Sequence, residues 1–298
     1  TDMLDACIAS LPAATRSSSQ PLHHQLLRCA WACGFCAFAG RRGALYIGRE
    51  ADTADLDAFI DRFRHTGATL ERLDCTGVAT KVPGLRPEWA GAVWEPACAD
   101  IDVAALHAHY LALLRQRGAQ LVTRARVAQL DHGGGGWRIR TDRGEEYRAG
   151  VLANASGAWA DGIAELAGAR PLGIQPYRRT VVQLRTDPAP PADLPLVIDV
   201  GGGFYFKPDA GQLLLSPANE DPMEPCDAFP DDIDVAIAVD RFENATRTLS
   251  PVSERQPHAG RTLAVRHPRP RRRGRCGGPA TRLVDVSSHC GRWGSVRS

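Results

Sequence analysis

The chain has 298 residues, 44% of them hydrophobic and 23% charged, with a formal net charge of +2. That is material for one large or two modest domains, and the balance excludes a disordered or fibrous chain. No apolar run approaches the ~20 residues that cross a bilayer, and no basic-then-apolar leader opens the sequence. Nine irregularly spaced cysteines make no disulfide framework, so the expectation is a cytoplasmic protein without a transmembrane segment.

Residues 1–40 hold His23, His24, Cys29, Cys33 and Cys36 with little periodicity. Cys33-Gly34-Phe35-Cys36 has the CxxC spacing of a zinc site, but no second CxxC or H-x₃₋₅-H follows, so no metal is assigned. Residues 41–47 read as a strand. Leu56, Phe59, Ile60 and Phe63 recur at helical spacing within residues 49–64, and residues 69–75 read as a further strand. Asp100 or Asp102 caps a helix reaching Gly118, with Val103, Leu106, Tyr110, Leu113 and Leu114 on one face. His107 and His109 on that helix are read as surface residues.

Residues 120–123 and 126–130 read as strands. Gly133 to Gly136 then turns into Trp137-Arg138-Ile139-Arg140. A hairpin explains the four glycines better than a phosphate cradle, because no P-loop lysine and no helix follow. Val151-Leu152-Ala153 is a short apolar run, read as a buried strand. Asn154 to Gly157 is the turn at its carboxyl end, and Trp159, Ile163, Ala164 and Leu166 continue as a helix that Gly168 closes. Small residues at such a turn let a cofactor reach backbone N–H groups. They equally permit close packing alone, and local sequence does not choose between the two.

From Gly173 the pattern becomes strands over 181–184, 196–200, 204–207 and 212–215, an antiparallel meander with Gly201-Gly202-Gly203 as a hairpin turn. Alternation puts Tyr205 on one face and Phe204 and Phe206 on the other. A helix follows over 231–248, with Ile233, Val235, Ala236, Val239 and Phe242 as its apolar positions. From Arg261 onward there are ten arginines and one acid, Asp285, so the small net charge hides an acidic body and a basic tail.

Asn154-Ala155-Ser156-Gly157-Ala158-Trp159-Ala160-Asp161 closely resembles the N-A-A-G-A-W-A-D segment of FAD-dependent oxidoreductases of the D-amino-acid oxidase family. The nearest likeness is to bacterial D-amino-acid and D-arginine dehydrogenases and glycine oxidases. It continues in order through Asp100-Ile101-Asp102, Pro171-Leu172-Gly173-Ile174, Arg178-Arg179-Thr180, Phe204-Tyr205-Phe206-Lys207-Pro208 and Ser216-Pro217-Ala218-Asn219-Glu220-Asp221-Pro222, over residues 42–249. The resemblance implies an α/β (α+β) fold: an incomplete Rossmann-like FAD-binding domain with an antiparallel-sheet substrate domain. It implies FAD as cofactor, with Val127, Ala155, Ser156, Gly157 and Trp159 at the cofactor. Arg179 would anchor the substrate carboxylate, and Tyr205 would present a phenol over the substrate. The expected chemistry is oxidation of the Cα–N bond of a D-amino acid or glycine-like amine to an imino acid and then an oxo acid, with an unknown electron acceptor. Relatives specific for basic D-amino acids carry a glutamate near Gly43–Ala44; this chain has none there, which speaks against D-arginine.

The ends depart from the family. The G-x-G-x-x-G fingerprint that grips the FAD pyrophosphate is absent, and so is the glycine-rich segment expected near residue 260 beside the flavin. Arg261 stands near the family's second carboxylate-binding arginine, in altered surroundings. The expectation is a truncated or frame-shifted copy, divided into an aberrant segment 1–40, a bridging segment 41–97, part of the FAD domain over 98–170, a substrate domain over 171–250 and an aberrant tail over 251–298. The alternatives are a catalytically dead remnant, or a nucleic-acid binder acting through the arginine tail. That tail has only Trp293 among its arginines, so no nucleic-acid partner is expected.

Overall fold

The structure is a computed structural model, and it describes residues 38–247, 249–251, 258–260, 263–266 and 284–285. The cysteine–histidine segment ending at Cys36 and Arg261 lie outside the described residues. The expected strand over 41–47 is two: β1 (Ala39–Arg41) and β2 (Ala44–Gly48). They break at Gly43, whose φ of +79° is left-handed; a Cβ there would lie 1.9 Å from Trp94 Cη2, so only glycine lets the indole pack. A single 3-10 turn leads into α1 (Thr53–Phe63). β3 (Glu71–Leu73) stops early because Asp74 accepts a hydrogen bond from Gly77 N at 2.9 Å and caps α2 (Cys75–Lys81). β4 (Gly91–Glu95) and β5 (Ala99–Ile101) precede α3 (Val103–Gln116). Of the two candidate caps, Asp102 fills the role, accepting from Ala105 N at 2.8 Å.

The chain continues through β6 (Val127–Gly133), β7 (Gly136–Thr141), β8 (Glu146–Ala149), β9 (Ala153–Asn154) and α4 (Ala160–Leu166). Then come β10 (Gln175–Arg178), β11 (Val181–Leu184), β12 (Thr186–Asp187), β13 (Leu196–Asp199), β14 (Tyr205–Asp209), β15 (Gln212–Ser216) and β16 (Asp221–Pro222). α5 (Asp232–Ala245), β17 (Ser250–Pro251), β18 (His258–Gly260), β19 (Leu263–Arg266) and β20 (Val284–Asp285) complete it. The elements fall into two compact units. The first comprises Thr1–Ala119, Val182–Ala218 and Asp232–Ala259; the second comprises Gln120–Val181, Asn219–Asp231 and Gly260–Ser298.

The first unit is built on an eight-stranded sheet in the order β18-β11-β15-β14-β13-β2-β4-β3. The predicted meander is there: β11, β15, β14 and β13 run antiparallel. β2 joins β13 in parallel, with Leu45 opposite Val197 and Tyr46 opposite Ile198. One face buries Leu45, Ile47, Val182, Val197, Phe206, Leu213 and Leu215 against Ala238, Phe242 and Ala245 of α5 and Val78 of α2. Phe206 and Phe242 meet edge to face at 5.1 Å, and Trp89 meets Phe204 at 5.5 Å. α1 covers part of the other face, where fully buried Leu56 sits over Gly48 and the Phe59 ring meets Tyr46 at 4.2 Å, tilted by 38°.

Two helix faces differ from expectation. α5 buries Asp234, Ala238, Phe242 and Ala245, while Ile233 is 67% exposed. Of the expected apolar positions, Phe242 is buried and Val235 and Val239 pack against the core, while Ile233 and Ala236 are exposed. α3 buries none of its residues, and Val103 is 70% exposed.

The second unit holds the antiparallel sheet β6-β7-β8, with the glycine turn where it was expected. α4 packs on β6. β10 lies between β16 and β19, and β9 pairs in parallel with β20. Two predicted strands are corrected. Residues 120–123 form none, and Leu121 and Val122 are exposed. Val151 is 71% exposed and lies outside β9, whose residues Ala153 and Asn154 pair with β20. Among the described residues no helix is long and apolar enough to cross a membrane.

Candidate functional site

The turn after β9 assembles itself from its own polar residues. Buried Asn154 donates from Nδ2 to the carbonyl of Ala160 at 2.8 Å, and its Oδ1 accepts from Ser156 N and Oγ. Asp161 accepts from the backbone N–H of Leu172 and of Ile174, both at 2.8 Å. The two polar ends of the octapeptide are therefore engaged in architecture, and what stays open is the backbone between them. Ala155 is exposed, Ser156 and Gly157 are half-buried, and Trp159 is 48% exposed. Gly157 has a φ of +58°, and among the described residues nothing beyond its chain neighbours lies within 4 Å of where its Cβ would stand. Backbone left open at small residues fits the close approach of one edge of a flavin dinucleotide. Val127 stands half-buried on β6, the strand α4 packs against.

Arg178 ends β10 in the same unit, and Arg179 follows it. The Arg178 guanidinium lies 3.3 Å from Asp221 and 3.7 Å from Asp231. Arg179 donates from Nη2 to Glu220 Oε1 at 2.7 Å and from Nε to the carbonyl of Asn219 at 3.1 Å. Asn219 Oδ1 in turn accepts from Thr180 N at 2.9 Å. The motif around Asn219 thus holds the two arginines, a pairing across about forty residues that no local pattern announces.

In the first unit Tyr205 is half-buried on the sheet face opposite Phe204 and Phe206, as alternation predicts. Ile198 and Tyr46 follow it across β13 and β2. Two residues along, Lys207 donates from Nζ to Asp100 Oδ1 at 2.8 Å, and Arg42 Nε pairs with the other oxygen of Asp100. Arg42 also donates to the carbonyl of Leu194 at 2.8 Å. Sequence reasoning missed this cluster, although Lys207 shares the period-two face of Tyr205 and could have been found from it. Burial alone would raise the Asp100 carboxyl, but hydrogen bonds from Lys207 and Arg42 outweigh it and hold the group below its ordinary value. Burial, reinforced by the Glu95 and Asp100 carboxylates, pushes the Cys98 thiol up to about 11. Burial and then Glu95, 3.4 Å away, raise the Tyr46 hydroxyl well above its usual value.

An open cleft of about 810 Å³ in the first unit, lined by Arg49, Thr53, Asp57, Arg72 and Asp74, contains none of the predicted residues. Among the described residues, no group of three His, Cys, Asp or Glu side chains could hold a metal ion.

A mixed α/β chain with a small-residue turn closing a strand in one unit, and a broad, largely antiparallel sheet carrying half-buried polar side chains in the other, has the build of a nucleotide-cofactor oxidoreductase. The family model described as FAD dependent oxidoreductase matches residues 24–294, and the chain belongs to that family. FAD is the cofactor that this membership brings. The chain is 33% identical over 216 residues to the tRNA 5-methylaminomethyl-2-thiouridine biosynthesis bifunctional protein MnmC of Burkholderia multivorans, which is 68% of this chain and 29% of that protein. It is 25% identical over 171 residues to monomeric sarcosine oxidase of a Bacillus species, 56% of this chain and 43% of that protein. It therefore spans less than half the length of these curated relatives. Among solved structures, glycine oxidase of Geobacillus kaustophilus superposes with a TM-score of 0.69 at 21% identity, over 83% of this chain and 68% of that one.

Proposed function

We propose that this chain acts as an FAD-dependent oxidoreductase on the Cα–N bond of a D-amino acid or glycine-like amine. The product is an imino acid, which water converts to the oxo acid and the free amine. The observation that carries the reading is the Asn154–Asp161 turn, whose polar ends are bonded internally while the backbone of Ala155, Ser156 and Gly157 stays open to a cofactor. The relative named monomeric sarcosine oxidase supports the glycine-like side of this substrate class, since sarcosine is a small secondary amine.

When bound, FAD would supply the acceptor for the hydride on Cα. The protein's part is to bind and orient. Val127, Ala155, Ser156, Gly157 and Trp159 hold the cofactor. Arg179 receives the substrate carboxylate, for which a planar guanidinium is suited because it pairs in two places at once. Tyr205 contributes a phenol hydroxyl to the substrate.

The experiment is an anaerobic titration of the FAD-loaded full chain with sarcosine, glycine and D-alanine. Bleaching of the flavin absorbance by at least one of them, with formation of the matching oxo acid, is the expected result. A chain that binds FAD and is bleached by none of these amines overturns the reading.

A further inference from the structure

The Arg179 guanidinium is held along one edge only. Its Nε and Nη2 are bonded to the Asn219 carbonyl and to Glu220. Nη1 donates to no protein group among the described residues, and it is not among the buried atoms left without a partner. The Nη1–Nη2 edge therefore remains available to a second acceptor, and a guanidinium has donors enough to serve both edges.

The bonded edge is well anchored. The side chains of Arg179 and Glu220 are only 12% and 24% exposed. Ala218, just before Asn219, takes a left-handed φ of +54°. Asn219 then clasps Thr180 N, and its Nδ2 donates to Asp221 at 2.8 Å. Asp221 sits opposite Arg178 in the β10–β16 ladder, and Met223 N donates to the carbonyl of Pro176 at 3.1 Å. Glu220 is thus carried on a segment fixed on both sides.

We propose that Glu220 is a positioning residue: with the Asn219 carbonyl it locks the Arg179 guanidinium so that its Nη1–Nη2 edge is presented to a substrate carboxylate. This rests on the reading of Arg179 as the carboxylate anchor. Arginine has long rotamer freedom, and a fork that must be ordered by the ligand itself binds less tightly than one already fixed. Glu220 also lowers the net charge of the site, which by itself would weaken carboxylate binding. The proposal states that orientation outweighs this, so removal of Glu220 and removal of a mere electrostatic competitor give changes of opposite sign.

The test uses the FAD-loaded full chain and acetate as a carboxylate probe, with binding followed by calorimetry and turnover followed with sarcosine or glycine. Glu220→Ala should weaken acetate binding and raise KM by about ten-fold, a modest share of the rotamer freedom of an arginine, while kcat changes by less than about three-fold. Glu220→Gln keeps an acceptor for Nη2 and should restore acetate binding to within about three-fold of the parent. Should the alanine protein not fold, Glu220→Asp carries the test, because a carboxylate set back by one methylene should still loosen the fork and weaken acetate several-fold. Unchanged or tighter acetate binding in Glu220→Ala, or in Glu220→Asp where that variant stands in, overturns the proposal while leaving the anchor in place. Arg179→Ala distinguishes the deeper failure: if it binds acetate as the parent does, Arg179 is no anchor and both readings fall.

Discussion

Asp161 separates an architectural role from a cofactor role within the segment that carries the family resemblance. Its carboxylate accepts two backbone N–H groups, from Leu172 and Ile174, each at 2.8 Å. A hydrogen bond to an ionised acceptor contributes about 1.5–3 kcal/mol, so two would total roughly 3–6 kcal/mol. Leu172 is exposed and Ile174 only half-buried, so water can rescue part of the loss, and we expect Asp161→Ala to cost about 2–3 kcal/mol. Asp161→Asn keeps one acceptor and sets its own NH₂ against the second donor, so its cost falls between. The assay is amide hydrogen exchange at Leu172 and Ile174 in the full chain, alongside denaturant unfolding and FAD content. Both amides should exchange faster in Asp161→Ala. If they keep their protection and the stability is unchanged while FAD affinity falls, the carboxylate acts on the cofactor and the reasoning is refuted.

Three further outcomes follow from the first unit. Gly43→Ala forces a left-handed residue with a Cβ 1.9 Å from the Trp94 ring and should destabilise by about 2–5 kcal/mol, read by thermal unfolding. The depressed Asp100 carboxyl contributes stability that is complete above the unfolded-state pKa and is lost as pH falls through the lower folded-state value. Asp100→Asn should therefore flatten the acid limb of the stability–pH curve, and an acid limb as steep as the parent's would show that the Lys207–Asp100–Arg42 cluster does not contribute to it. Cys98, with its thiol pushed up to about 11, should be alkylated by iodoacetamide at pH 8 more slowly than exposed Cys75 and Cys226, as peptide mapping would show.

What the sequence made legible was whatever repeats at short range. The hairpin at Gly133 to Gly136 and the strands on either side of Tyr205 were readable because alternation and glycine turns are local signals. The cap at Asp102 was readable for the same reason, down to a choice of two residues. The buried face of α5 was readable at Val235, Val239 and Phe242 but not at Ala238 and Ala245, which complete it without announcing themselves, while Ile233 is exposed. The partners of β9 and β10 were hidden more deeply. β20 and β19 come from the arginine-rich region whose composition looks foreign to the rest, yet Val284 aligns with Ala153 and Val265 with Pro176. The grip of Glu220 on Arg179, like that of Asp100 on Lys207, joins residues far apart in the chain, and no spacing rule reaches that distance.

The parallel contact of β2 with β13 has a consequence for how the chain is made. Residues 44–48 and 196–199 are sheet neighbours, and everything that forms β6 to β10 is synthesised between them. The half of the sheet translated first must wait, edge uncovered, until its partner strand leaves the ribosome, and long-range pairings of this kind are slow to form. Each of the two units is also sewn from three separate stretches of chain, so no single cut could release either one intact. Dissecting this protein would call for circular permutation or co-expression of fragments rather than truncation.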